Sequence, residues 1–142
     1  LYFIQGIYMA MFGKPLYEED CMAWTHGPVY EDVYNLFKDF KYNPIDDNRF
    51  AIFKDRFEEL DEQERKVIDL VINTFGKYSG KALESITHEE LPWKNAREGY
   101  EASEPAREII SKDEIRNYFT HVADTYGVDT EEKLNSYIQS YI

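Results

Sequence analysis

The sequence predicts a mainly α-helical protein, a compact multi-helix domain with a small β-hairpin or extended arm between its first two helices. Three observations lead there. Apolar residues recur at three- and four-residue spacing along most of the chain. Polar caps, Asp61, Ser79, Ser111 and Thr130, stand directly ahead of four of these stretches. The first two periodic stretches are separated by a proline-bearing segment too short for another helix.

Residues 1–12 place Leu1, Ile4, Ile7, Tyr8, Met11 and Phe12 on one helical face. The other face adds Phe3 and Met9, so this helix should be buried on most sides. Gly13 and Lys14-Pro15 stop it. Leu16-Tyr17 and Cys21-Met22-Ala23-Trp24 then flank the acidic turn Glu18-Glu19-Asp20, which reads as a hairpin or arm. Such a hairpin is marginal alone and must lean on a helix.

Met22 to Tyr30 is the most constrained stretch. Gly27 can take backbone angles closed to other residues, and the residue before a proline is pushed toward extended geometry. Pro28 suits the first turn of a helix, where a missing N–H costs nothing. A sharp corner follows, with Trp24, His26 and Tyr30 clustered at it and a second helix running from Pro28 to Phe40. Val29, Val33, Leu36, Phe37 and Phe40 form its expected buried stripe, and Glu31-Asp32 suit its dipole.

Asn43-Pro44 and Asp46-Asp47-Asn48 are turn chemistry, and Phe50-Ala51-Ile52-Phe53 reads as a short strand or irregular arm. Asp61 to Glu64 forms a capping box ahead of Val67, Ile68, Val71, Ile72 and Phe75, with an end at Gly76. Ser79 caps a fourth helix with Ala82, Leu83 and Ile86 inward. Pro92-Trp93 opens a short one, and Glu98 to Pro105 is a polar loop. Ser111 to Glu114 is a second capping box, leading into Ile115, Tyr118 and Phe119. After Gly127, Thr130 caps a last helix whose stripe is Leu134, Tyr137, Ile138 and Tyr141.

A chain of 142 residues with 43% hydrophobic and 16% aromatic residues is long and apolar enough for one packed domain. Its 16 basic against 28 acidic residues leave a net charge of −12. Phosphate neutralisation needs the opposite excess, so direct binding of nucleic acid is not expected, nor is an anionic membrane surface. A basic protein partner would be attracted. The bland alternative is that the acids only keep a soluble protein soluble. A single cysteine, Cys21, makes no internal disulfide and suggests a reducing cytoplasm. No apolar run approaches the roughly 20 residues of a membrane span. The opening Leu1-Tyr2-Phe3-Ile4 is unlike a signal peptide and starts inside an apolar period, so the N-terminus reads as truncated.

Little points to catalysis. The three histidines and Cys21 show none of the paired spacings of a metal site, so no metal or other cofactor is expected. Gly76-Lys77-Tyr78-Ser79-Gly80-Lys81 lacks the spacing of a phosphate loop. Acidic pairs such as Glu89-Glu90 read as solvated helix faces. His26 and His88 stand near Trp24 and Trp93, and either serves as well as an ordinary helix-end or turn residue. A Cys-His couple at the corner is the chemical alternative, and would make the chain a hydrolase.

The pieces occur in an order that resembles the SocA-like Panacea antitoxin domain, often labelled phage-associated protein. They are Leu1-Tyr2-Phe3-Ile4-Gln5-Gly6, Gly13-Lys14-Pro15-Leu16-Tyr17, and the signature Met22 to Tyr30 with its Gly27-Pro28-Val29. Leu83 to His88, Pro92-Trp93, Ala96-Arg97, and Ile109-Ile110 through Phe119 as the closing helix follow. The resemblance covers residues 1–119, and 120–142 stand outside it as a C-terminal helical extension. In the family, basic residues precede the position of Leu1, which again suggests truncation. The resemblance implies no catalytic activity, a cytoplasmic antitoxin encoded beside a toxin, and neutralisation by direct binding. The SocA-like branch implies an adaptor that delivers the toxin to a protease.

Trp24, His26, Tyr30, His88 and Trp93 are the candidate partner contacts at the corner, with Gly27, Pro28 and Val29 as its structural motif. Leu134, Tyr137, Ile138 and Tyr141 are a second candidate, since an amphipathic helix outside the domain needs somewhere to put its apolar face. Packing back on its own domain would satisfy the same face. A third reading, an acidic decoy for a nucleic-acid-binding protein, ranks last because the acids have no regular spacing.

Overall fold

The computed structural model describes residues 1–51 and 59–142. In chain order the elements are α1 (Tyr2–Phe12), β1 (Cys21–Trp24), β2 (Gly27–Val29) and α2 (Glu31–Phe37), which tightens into a 3-10 turn over Lys38–Phe40. They continue as α3 (Asp47–Ala51), α4 (Glu62–Phe75), α5 (Gly80–Glu89), α6 (Leu91–Ala96), β3 (Ile109–Ile110), α7 (Lys112–Tyr126) and α8 (Glu131–Gln139). The architecture is mainly helical, as expected, with a small antiparallel sheet in the order β2-β1-β3.

Helix α1 is the centre, packed on α4 and α7, and α8 closes the layer between those two. Its buried set is Tyr2, Phe3, Gln5, Gly6, Ile7, Tyr8 and Met9, while Leu1 is exposed and Ile4, Met11 and Phe12 are half-buried. The face assigned to the core is therefore shifted, because two helices grip α1 from adjacent sides. Gly6 makes this possible: a Cβ there would lie 2.2 Å from the Phe119 ring on α7. Phe3 stacks on Phe75 at 4.2 Å, and Tyr2 meets Phe119 edge-on at 5.5 Å. Such pairs add about 0.5–1.5 kcal/mol beyond their buried area. Gln5, fully buried, is bonded on both sides of its amide: Nε2 donates to the Tyr17 carbonyl at 2.7 Å, and Oε1 accepts from Leu16 N at 2.8 Å. It thereby fastens the segment after Gly13 to α1.

The caps are where they were expected. Both bonds of the Asp61–Glu64 box are made, and Ser79, Ser111 and Thr130 each accept a backbone N–H. Leu134, Tyr137 and Ile138 of α8 are buried in the same core as Phe119, and Tyr118 joins the Tyr137 and Tyr141 hydroxyls at 2.9 and 2.7 Å. Helix α7 runs unbroken past residue 119.

Five expectations are corrected. The hairpin pairs β1 with β2, across Thr25-His26, rather than with Leu16-Tyr17. The second helix starts at Glu31 instead of Pro28, because residues 27–29 are taken up by the ladder. Its stripe is at best half-buried, with Leu36 exposed, and α2 buries no residue fully. Ile109-Ile110 is strand β3 paired with Cys21-Met22, not part of the closing helix. Residues 47–51 are helical, so Phe50-Ala51 do not start a strand; Ile52-Phe53 lie outside the described residues.

Glu90 departs furthest from the solvated-face reading. It stands at the N-cap position of α6 without a side-chain bond to the helix, is fully buried, and accepts at Oε2 from the Tyr2 hydroxyl at 3.4 Å. Its Oε1 has no partner among the described residues. Burial pushes the carboxyl up to about 8, although the nearby Tyr137 and Tyr2 hydroxyls pull it the other way.

Candidate partner-binding site

The corner is built from alternation and one permissive residue. Along β1, Cys21 and Ala23 are buried while Met22 and Trp24 are half-buried on the other face, as a strand's period of two requires. Trp24 pairs with Gly27, whose φ of +120° is the geometry a side chain resists and which closes the turn. Pro28 pairs with Ala23 on the edge strand β2, where its missing N–H breaks no ladder bond.

Helix α6 holds this hairpin in place. Trp93 Nε1 donates to the Trp24 carbonyl at 2.8 Å, and Arg97 Nη1 donates to the Ala23 carbonyl at 3.0 Å. Arg97 Nη2 also donates to the Glu101 carbonyl at 3.0 Å and to that of Glu104. Its guanidinium lies 5.1 Å from the Trp93 ring centre. One buried cation thus ties β1 to the loop after α6, and its three carbonyls make the burial tolerable. His88 stacks on the Trp93 ring, their centres 4.0 Å apart.

Between the hairpin and that loop is an open cleft of about 540 Å³. Trp24, Val29 and Tyr34 line one side; Tyr100, Pro105, Ala106 and Arg107 line the other, with Thr25 and His26 at the turn. Trp24 meets Tyr34 edge-on at 4.9 Å. Tyr34 and Tyr100 keep 46% and 37% of their surface exposed. Arg107 is engaged by Glu31 at 3.0 and 3.3 Å, and the Tyr100 hydroxyl donates to Glu108 at 2.8 Å, which pushes that phenol up. Trp24 Nε1 is buried and has no partner among the described residues.

The two histidines converge on a carboxylate that the sequence did not single out. His26 Nδ1 lies 3.2 Å and His88 Nε2 4.0 Å from Glu84 Oε1, with Lys81 Nζ at 3.4 Å. The His26 bond, then Lys81, hold Glu84 below the usual carboxylate range. Desolvation lowers His88. Among the described residues no group of three or more His, Cys, Asp or Glu is arranged to hold a metal. Cys21 is elsewhere in character: buried, with its thiol pushed up to about 12 by desolvation. A thiolate nucleophile is not available there at neutral pH.

Of the candidate contacts, Trp24 lines the cleft, His26 is exposed at its mouth and His88 is half-buried behind it. Tyr30 and Trp93 are buried, Tyr30 edge-on to Tyr17 at 5.2 Å. Leu134, Tyr137 and Ile138 are buried in the core and Tyr141 is 37% exposed; none of them lines the cleft. Sequence reasoning missed Tyr34, Tyr100 and Arg97. The available signal was spacing: Arg97 falls four residues after Trp93, which puts both on one face of a short helix.

Compared with known proteins, residues 1–94 match the family described as antitoxin SocA-like, Panacea domain. No curated protein and no solved structure is significantly similar to the chain. Among the described residues, no helix is long and apolar enough to cross a membrane.

Proposed function

The chain belongs to the SocA-like Panacea antitoxin family, and on that premise we propose that it is the antitoxin of a bacterial or phage toxin–antitoxin pair. It neutralises its cognate protein toxin in the cytoplasm by direct binding, without catalysis of its own and without contact to nucleic acid. The family match is the observation that carries the reading. The site supports it: rings are exposed around an open cleft, while the groups a hydrolase would use are buried or satisfied. Cys21 is a buried, protonated thiol, and His26 and Glu84 are paired to each other. The antitoxin unit extends to residue 119, and 120–142 act as a helical extension that helps close the core.

Co-expression with the product of the adjacent gene tests this. That product should arrest growth alone and be harmless beside this chain, with a stable complex on gel filtration. A product harmless alone, or toxic in the presence of the chain, overturns it. Following the toxin's lifetime separates the two modes: sequestration leaves it long-lived and inactive, whereas an adaptor shortens it only when the host protease is present. The hydrolase reading fails if His26→Ala with His88→Ala leaves neutralisation intact in a folded protein.

A further inference from the structure

We propose that the cleft between Trp24, Tyr34 and Tyr100 is the surface that grips the partner, and that it takes an arginine- or lysine-bearing apolar segment. The proposal rests on the antitoxin reading, since it names the surface and the chemistry by which such a chain would hold a protein.

The cleft is made for a side chain that is both apolar and cationic. Its walls are ring and aliphatic surface, with Val29, Pro105 and Ala106 between the three aromatics. Ring faces attract a cation within about 6 Å, and more strongly as water is excluded. The loop that forms one wall is acidic in sequence. From residue 98 to residue 108 the chain carries Glu98, Glu101, Glu104 and Glu108 against Arg107 alone. Arg107 is already bound to Glu31, so the positive charge it brings to the mouth is balanced there. The whole chain, at −12, adds attraction at a distance and disfavours both an anionic partner and a second copy of itself.

The cleft is also held ready. The Trp24 and Ala23 carbonyls are fixed by Trp93 and Arg97, and Arg97 holds the facing loop through Glu101 and Glu104. A wall set before the partner arrives loses little freedom on binding. The apolar stripe of α8 offers no comparable surface, because three of its four residues are covered by the chain's own core.

The test uses the full chain and the purified product of the adjacent gene, with calorimetric binding and growth rescue measured together. Tyr34→Ala and Tyr100→Ala should each weaken binding by about tenfold or more, as hot-spot rings do, in chains that stay folded at the assay temperature despite losing the Trp24–Tyr34 and Tyr100–Glu108 contacts. Tyr34→Phe should retain binding. Glu98→Lys with Glu101→Lys should slow association, and wild-type affinity should fall as salt rises. If the wild-type chain neither binds nor rescues, the antitoxin reading itself fails. If it rescues while both alanine variants bind normally, the cleft is not the surface. If affinity ignores salt and the charge reversals, the cationic occupant is wrong. A Tyr34-dependent dimer of the chain alone would show that the occupant is a second copy.

Discussion

The same kind of residue is used in two opposite ways in this molecule. Around α1, α4, α7 and α8 the rings are consumed: Phe3, Phe75, Phe119 and Tyr137 are buried against one another, and even Glu90 and Gln5 are taken in. Around β1, β2 and α2 the rings are offered: Tyr34 and Tyr100 stand half in water, and α2 has no fully buried residue. Burying a large apolar side chain is worth about 1.5–3 kcal/mol, so the first region supplies stability that the second forgoes. A fold can leave ring surface uncovered for a partner only if another part of it is packed closely enough to hold the chain. The two regions meet at α6, where Glu90 faces the core while Trp93 and Arg97 bond the corner.

The largest expected effect breaks that division from the core side. The folded state holds a proton on Glu90 up to about pH 8, whereas an unfolded glutamate releases it near 4.5. Between those values the unfolded chain binds fewer protons, so stability falls as pH rises, by about 1.4 kcal/mol for each pH unit. Below the lower value the group contributes nothing, and above the upper one the full loss is present. Glu90→Gln cannot titrate. Its amide brings donors that need acceptors, at about 1 kcal/mol, so the variant should start slightly less stable in mild acid and become the more stable protein near pH 8. Urea unfolding across that range reads the crossing; parallel pH curves would show that Glu90 titrates normally. Toxin neutralisation should not change, since the cleft is untouched.

Gly6→Ala is the next in size. In an ordinary helix this change stabilises, by roughly 0.5–1 kcal/mol. Here the new Cβ would sit 2.2 to 2.7 Å from three atoms of the Phe119 ring, so α1 and α7 must separate. Overpacking of this kind costs about 1–3 kcal/mol. Adding Phe119→Leu should recover part of it, because the two positions share one contact. Neutralisation should fall only in step with the folded fraction. A stabilised Gly6→Ala would mean that the helices do not approach so closely.

What could be read in advance follows the same division. The helices of the core announced themselves through local rules: the Asp61–Glu64 box has both bonds, and Thr130 caps α8 as its spacing required. Partners separated by many residues did not. Pro28 is welcome at a helix start and on an edge strand for one reason, the missing N–H, and only pairing with Ala23 decides between them. Glu90 looked like one acid of a solvated pair until Tyr2 and Tyr137 were brought over it. The amphipathic stripe of α8 was legible, but its destination was not, because the same face suits a partner or its own core. The corner was found from Trp24, Gly27 and Pro28. Its cleft was not, since Tyr34, Tyr100 and Arg107 come from three separate stretches.

The smallest expected effect sharpens the outer edge of the corner. His26 stands on the turn with 85% of its side chain exposed, and its contact is Glu84 at 3.2 Å. Removing it strands no charge, because Lys81 remains 3.4 Å from the same carboxylate oxygen. His26→Ala should therefore change stability by about 0–1 kcal/mol, the range of exposed ion pairs. With folding out of the account, its effect on neutralisation becomes diagnostic. Unchanged rescue would place the edge of the partner surface inside the turn, at Trp24 and Tyr34. A loss of rescue at full stability would mean that the imidazole itself touches the partner, and that the gripping surface runs over the hairpin loop toward Glu84.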